Sequence, residues 1–302
     1  MLDEPQLLTA VLAGLGAMLG WGLADFFAKK TIDTIGDVTT LFWAQLIGIA
    51  PLAALFSIRP SIPAKLGDLD LTNLLYLTTL GVWSGLSYIP TYVAFGKGKV
   101  SLLSPIFASY AVVVTILSAA VFAEQIPLGR WIAFAIVFAG VLLISGDPRA
   151  LGEWIVGAAQ KREPIGGLRE IVLAVALYSV WLLALDNFIN GEYWVPFLLV
   201  IRVFSALSLF LYAKLMRIKL AVSDPAAWKF LVLIGVCDVT AFAFLSFGYS
   251  ATHYVSVVTM LSAAFSLPTF VLARVFLHEK VSVPQTIGAA TVVLGVALLP
   301  WL

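Results

Sequence analysis

Ten times along this chain a run of about 20 mostly apolar residues recurs, and that recurrence constrains the fold more than any other property. Such runs have no stable home in water, and within lipid each peptide group must find its partner inside the chain. Strand-type alternation is nearly missing, so helices are the backbone solution left. Windows of about 19 residues place the spans at 7–28, 38–57, 71–96, 101–122, 127–145, 170–190, 193–215, 226–250, 254–277 and 283–302. Composition agrees. Of 302 residues, 61% are hydrophobic and 12% charged, against roughly 25% charged in a soluble domain. Asp3 and Glu4 stand where a signal peptide would need basic residues, so the first run reads as a helix of the mature chain.

Several function classes drop out early. A net charge of +1 gives no nucleic-acid surface. The single Cys237 excludes an internal disulfide, and His253 and His278 form no metal-ligand cluster. No Ser-His-Asp spacing, HExxH motif or paired histidines point to catalysis, so no catalytic residue, cofactor or metal is assigned. The phosphate-cradling G-x-x-x-x-G-K-[ST] pattern is missing too, so no ATPase chemistry or ATPase partner is implied.

The polar stretch 146–169 divides the spans into two sets of five, giving halves at 1–148 and 169–302 with a linker at 149–168. Within the linker, Leu151, Trp154, Ile155 and Ala158 share a helical face, which fits either a short surface helix or an ordinary loop. The halves repeat. Phe122-Ala123-Glu124-Gln125-Ile126 matches Leu277-His278-Glu279-Lys280-Val281, and Gly140-Val141-Leu142-Leu143 matches Gly295-Val296-Ala297-Leu298, both at an offset of 155. Gly81-Val82-Trp83-Ser84 matches Gly235-Val236-Cys237-Asp238, with weaker partners in Trp21/Trp181 and Asp25/Asp186. An odd number of helices per repeat inserts the two halves with opposite orientation, the arrangement by which one structure supplies two access states.

The stretch Phe276-Leu277-His278-Glu279-Lys280-Val281-Ser282-Val283-Pro284-Gln285, followed by Gly288-Ala289-Ala290 and Gly295-Val296, resembles the EamA half of the drug/metabolite transporter superfamily. Val121-Phe122-Ala123-Glu124-Gln125-Ile126 with Gly140-Val141 is a degraded first copy, and Gly20-Trp21-Gly22 is similar to the family's W-G. Arg202 is similar to the arginine often found early in the second helix of a half, where the first half has Gln45. His278 and Ala123 replace the usual glycine, which leaves the build of that turn open. The resemblance implies a ten-helix, all-α membrane carrier of two inverted five-helix repeats. Its central cavity would be lined mainly by the third, fourth, eighth and ninth helices, with help from the first and sixth.

Of the 18 Lys and Arg, fourteen fall in or beside the loops after odd-numbered spans, from Lys29 and Lys30 to Arg274 and Lys280. Only Arg59, Lys65 and Arg130 lie opposite. The positive-inside rule then puts both termini outside the cytoplasm, whereas relatives of the resembled family are usually drawn with both inside. We follow the charge count. The expected location is the plasma membrane, as a multi-pass protein whose partners are lipid and a small molecule; the oligomeric state stays open, a monomer being plausible.

Charged side chains inside these spans need a reason, because each costs about 2.5–3.5 kcal/mol at the bilayer centre. By a rise of ~1.5 Å per residue, Asp238 and Arg202 fall near the midplane, and Asp25 and Asp186 roughly 10 Å from it. One face of the third span presents Ser84, Tyr88 and Tyr92, and one face of the eighth presents Asp238 and Phe242. The ninth adds Ser256, Thr259, Ser262 and Ser266; the fourth adds Ser104 and Tyr110; the first adds Trp21 and Asp25. The expected substrate site is therefore Asp238, Arg202, Tyr88, Tyr92, Ser84, Trp21, Phe242, Ser262 and Ser266, with Asp25 and Asp238 as coupling candidates. Plainer readings stand beside it. Asp238 and Arg202 either neutralise each other or face a ligand, Asp25 either pairs with Lys29 at i,i+4 or faces the cavity, and the serine stripe either packs helices or binds.

Two transport readings result. In one, a small metabolite such as an amino acid or similar zwitterion puts its carboxylate on Arg202 and its amine on Asp238 during alternating access. In the other, a proton-coupled exporter moves cationic or aromatic compounds, with Asp238 or Asp25 swapping a proton for a cation. A non-transporting membrane enzyme or scaffold is the third class, and a channel lacks a recognisable filter sequence.

Overall fold

The computed structural model describes residues 4–58, 70–122, 128–145, 165–189, 194–251 and 255–298. The turn at Glu124 and the proposed linker helix lie outside the described residues, and so do the side chains of Asp186, Ser256 and Thr259. Among the described residues every regular element is an α-helix: α1 (Glu4–Ile35), α2 (Asp37–Ile47), α3 (Ile49–Ile58), α4 (Leu71–Lys97), α5 (Val100–Ala108), α6 (Tyr110–Phe122) and α7 (Leu128–Ser145). They continue with α8 (Leu168–Ile189), α9 (Trp194–Leu215), α10 (Pro225–Ala251), α11 (Val255–Ala263), α12 (Ser266–Phe276) and α13 (Val283–Leu298).

Among the described residues five stretches are long and apolar enough to cross a membrane: Pro5–Ile35, Asp37–Ala54, Leu168–Leu185, Phe197–Leu215 and Pro225–Gly248. Shorter apolar helices accompany them at Val100–Val114, Trp131–Gly140, Leu261–Phe276 and Val283–Leu298. Helix α4 has 27 residues and starts on Asp70, whose side chain accepts from the Asn73 amide at 2.7 Å. Its rise of about 40 Å exceeds a hydrocarbon core, although Thr, Ser, Gly and Tyr dilute its apolar run.

Three of the predicted spans are broken rather than continuous. The span at 38–57 breaks at Gly48, that at 101–122 at Ser109, and that at 254–277 at Ala264 and Phe265. Pro268 explains the last: its ring crowds the carbonyl of Ala264 and it has no amide to bond there, so Ala264 and Phe265 turn back in short i−3 bonds to Leu261 and Ser262. The break at Ser109 is of the same kind, with Ser109 donating to the Ile106 carbonyl at 3.1 Å. Ser109 and Ala264 stand at the same 155-residue offset as the sequence repeat. Pro90, in contrast, sits inside the unbroken α4.

The two halves are interleaved rather than adjacent. Helix α1 packs along α10, α11 and α12, while α8 packs along α4, α5 and α6. Helix α9 lies against α4 and α2, α10 against α2, and α7 against α13. Two glycines matched in the sequence do matching work. A Cβ on Gly81 would sit 2.9 Å from the Ile201 carbonyl of α9, and one on Gly235 would sit 3.0 Å from the Ala44 carbonyl of α2. Both helix pairs approach too closely for a side chain.

The turn between α12 and α13 keeps a left-handed residue where the resembled family has glycine. His278 adopts φ 52°, a conformation costing roughly 1–2 kcal/mol for a residue with a Cβ. That turn delivers Glu279 to the start of α5, where its carboxylate accepts from the Val100 and Ser101 amides at 3.1 and 3.0 Å and from the Ser101 hydroxyl. Beside it Lys99 donates to the Lys280 carbonyl and Lys97 pairs with Glu170, so basic loops from both halves gather at one end of the molecule.

Candidate functional site

A cavity lies where the helices break. Phe107 and Tyr110 flank the break at Ser109, Phe265 sits in the second break, and all three form part of the wall. Broken helices in corresponding positions of two halves are where carriers place their sites, because unwound turns free polar groups and allow bending. Helix α1 contributes Trp21 and Asp25, α4 contributes Tyr88, Thr91 and Tyr92, and α8 adds Tyr178. Gln45, Arg202 and Asp238 close the wall from α2, α9 and α10. The free space is only about 50 Å³, room for a few waters.

Three ionisable side chains meet here, Arg202, Asp238 and Asp25. Arg202, 5% exposed, pairs with Asp238, 19% exposed. Its other terminal nitrogen donates to Gln45 Oε1 at 2.6 Å, and the guanidinium lies 5.7 Å from the Phe242 ring centroid. Gln45 and Arg202 are counterparts in the repeat, and they meet across the centre. The arginine is thus held by an acid, an amide and a ring, as a buried cation requires.

Asp25 is different. Its carboxylate accepts from Ser104 Oγ at 2.7 Å, and among the described residues no cation pairs with it. Lys29, one turn away, points to Asp33 at 2.8 Å instead, so of the two readings of Asp25 the i,i+4 pair is not formed. Both acids line the same cavity, and the arginine in its wall is paired with Asp238, so among the described residues Asp25 has no cationic counterpart. Another polar group there is unsatisfied: Thr91 Oγ1 is buried without a hydrogen-bond partner among the described residues. The Thr9, Thr31, Thr34, Thr40, Thr78 and Thr79 hydroxyls each bond back to the carbonyl four residues earlier.

Aromatic rings supply the rest of the surface. Tyr178 is the hub, with Tyr88 at 5.4 Å, Tyr110 at 4.9 Å and Phe107 at 5.3 Å between ring centroids. Trp21 packs edge-on against Phe265 at 6.1 Å and Phe242 at 5.1 Å. These spacings are typical of edge-to-face aromatic pairs.

Of the residues expected from sequence, Trp21, Asp25, Tyr88, Tyr92, Arg202 and Asp238 come together at the cavity. Phe242 stands behind the wall, against Trp21 and Arg202. Ser84, Ser262 and Ser266 are buried and do not line it. Thr91, Tyr178, Phe107 and Phe265 were not expected. Thr91 is one turn from Tyr88, and Tyr178 one turn from Trp181, so 3.6-residue periodicity carried a signal for both.

One solved structure, described only as "Crystal structure of protein", aligns over 96% of this chain and 96% of its own at TM-score 0.62 and 16% identity, a likeness of fold. Among curated protein sequences none matches. The model of the EamA-like transporter family matches residues 8–146 and again 167–300. With two matches spanning nearly the whole sequence, this all-helical, multi-pass membrane chain belongs to the EamA-like transporter family.

Proposed function

We infer that the chain is a secondary carrier of small organic cations, with an amine or quaternary nitrogen held by Asp25 among the cavity's aromatic rings. The observation that carries this reading is the Asp25 carboxylate: one hydroxyl donor, no cationic partner among the described residues, and a place in an aromatic wall. A lone carboxylate in a low-dielectric site favours a positive ligand, and tyrosine and tryptophan faces add cation–π attraction. A proton on the same carboxylate would neutralise it between substrates, which is the logic of exchange against a proton gradient. The zwitterion reading ranks second, because Arg202 is already engaged by Asp238 and Gln45 and would have to release one of them.

The architecture we attach to this function is ten spans in two oppositely inserted five-helix repeats, working by alternating access in the plasma membrane. The pairing of α1 with α10 to α12, and of α8 with α4 to α6, supports it, because a two-fold relation exchanges these two sets. The breaks at Ser109 and Ala264 support it too. Both termini lie outside the cytoplasm in this scheme.

The test is ligand-induced thermal stabilisation of purified protein with three probes of similar size: tryptamine (a cation), tryptophan (a zwitterion) and indole-3-acetate (an anion). Tryptamine should raise Tm most, and the Asp25→Asn variant should lose that rise. Stabilisation by indole-3-acetate, or an Asp25→Asn variant that responds to tryptamine like wild type, would overturn the reading.

A further inference from the structure

The short helix α5 touches both the cavity and the seam that closes one end of the molecule. All nine of its residues are buried, and its N-cap residue Lys99 makes no side-chain cap of its own. The cap comes from the other half: Glu279 takes the Val100 and Ser101 amides and the Ser101 hydroxyl, and the Lys280 carbonyl takes the Lys99 amine. One turn further on, Ser104 Oγ donates to Asp25. Residues three apart share a helical face, so the Glu279 contact and the Asp25 contact lie one above the other. The break at Ser109 frees α5 from α6, and Phe107 of the same helix forms cavity wall. A free space of about 50 Å³ cannot admit an aromatic ligand unless some wall moves.

We propose that α5 is a coupling element that transmits the charge state of Asp25 to a latch formed by Glu279, Ser101 and the Lys99–Lys280 contact. While Asp25 is a free carboxylate, its bond to Ser104 draws α5 against α1 and the latch stays shut. A cation on Asp25 weakens that bond, and α5 is then held at its start alone. Ser104 and Glu279 act here as positioning residues rather than ligands. The proposal rests on the reading of Asp25 as the cation site.

Hydrogen exchange of the full-length protein in lipid nanodiscs tests it, because the Val100 and Ser101 amides are the groups Glu279 holds. Losing a charge-assisted bond of about 1.5–3 kcal/mol corresponds to roughly 10- to 100-fold faster opening. Glu279→Gln should therefore speed exchange at these two amides about tenfold or more. Ser104→Ala and Asp25→Asn should speed it severalfold, with the α7 and α13 amides unchanged. Should Glu279→Gln fold poorly, Ser101→Ala removes one latch bond and should give a smaller rise at the same amides. Exchange that accelerates in Glu279→Gln but stays at the wild-type rate in both Ser104→Ala and Asp25→Asn would overturn the coupling. These arms contain no ligand, so their outcome is independent of whether tryptamine binds. In wild type, tryptamine should also speed exchange at Val100 and Ser101, and a bound tryptamine that slowed it would reverse the sign of the coupling and end the proposal.

Discussion

Asp25 and Asp238 line one cavity, yet the chain has equipped them differently. Asp238 faces an arginine that is itself backed by Gln45 and Phe242, so its charge is cancelled within the fold. Asp25 has a serine hydroxyl from a helix 79 positions away in sequence and, among the described residues, no cationic partner. Burying an ion pair is roughly neutral for stability, whereas burying a single charge is costly unless something external meets it. One carboxylate therefore belongs to the framework, and the other is available for a ligand.

The sharpest way to break this contrast is to neutralise each acid in turn. Asp238→Asn leaves the Arg202 charge unpaired at 5% exposure. Removing one partner of a buried pair destabilises by about 3–5 kcal/mol, so a large fall in Tm in detergent is expected. Asp25→Asn removes the uncompensated charge and should leave Tm unchanged or raise it. If both variants melt alike, the division into framework and ligand carboxylate is wrong.

The same pair of variants also separates on binding, at a smaller scale. A charge-assisted hydrogen bond contributes about 1.5–3 kcal/mol, so Asp25→Asn should weaken tryptamine by roughly 10- to 100-fold at neutral pH. Titration calorimetry on the folded variant measures this. A loss under threefold would move the cation site away from Asp25.

How far this contrast could be read in advance depends on the residue. Asp238 and Arg202 were legible as a pair because both fall at mid-depth, where a single charge has few other partners. Asp25 was not, because sequence offers only neighbours on the same helix. Lys29 is at the right spacing, yet it finds Asp33, while the true partner Ser104 is brought in by tertiary packing. Ser262 and Ser266 read as a polar stripe, but small residues also let helices touch. In the fold that side lies against α1, where Thr269 donates to the Gly22 carbonyl at 3.1 Å and a Cβ on Gly14 would sit 2.7 Å from Leu261 Cβ. The apolar runs were legible from hydropathy alone. Prolines marked three of these spans as candidates for interruption: Pro105 and Pro268 each lie one turn from the breaks at Ser109 and Ala264, whereas Pro90 leaves α4 intact.

Thr91 offers the finest test, because it is a second unfinished group in the same wall but carries no charge. Its hydroxyl is buried without a partner among the described residues, which costs about 1–3 kcal/mol if nothing offsets it. Thr91→Val keeps the shape of the side chain and removes that group, so the protein should gain up to about 1 kcal/mol, read as a small rise in Tm. If Thr91 meets the ligand, tryptamine should weaken by severalfold, less than in Asp25→Asn, because a neutral hydrogen bond contributes about half as much as a charged one. The ranking is what matters. A Thr91→Val effect on tryptamine equal to that of Asp25→Asn would mean that the cavity selects by hydrogen bonding and shape rather than by the carboxylate of Asp25.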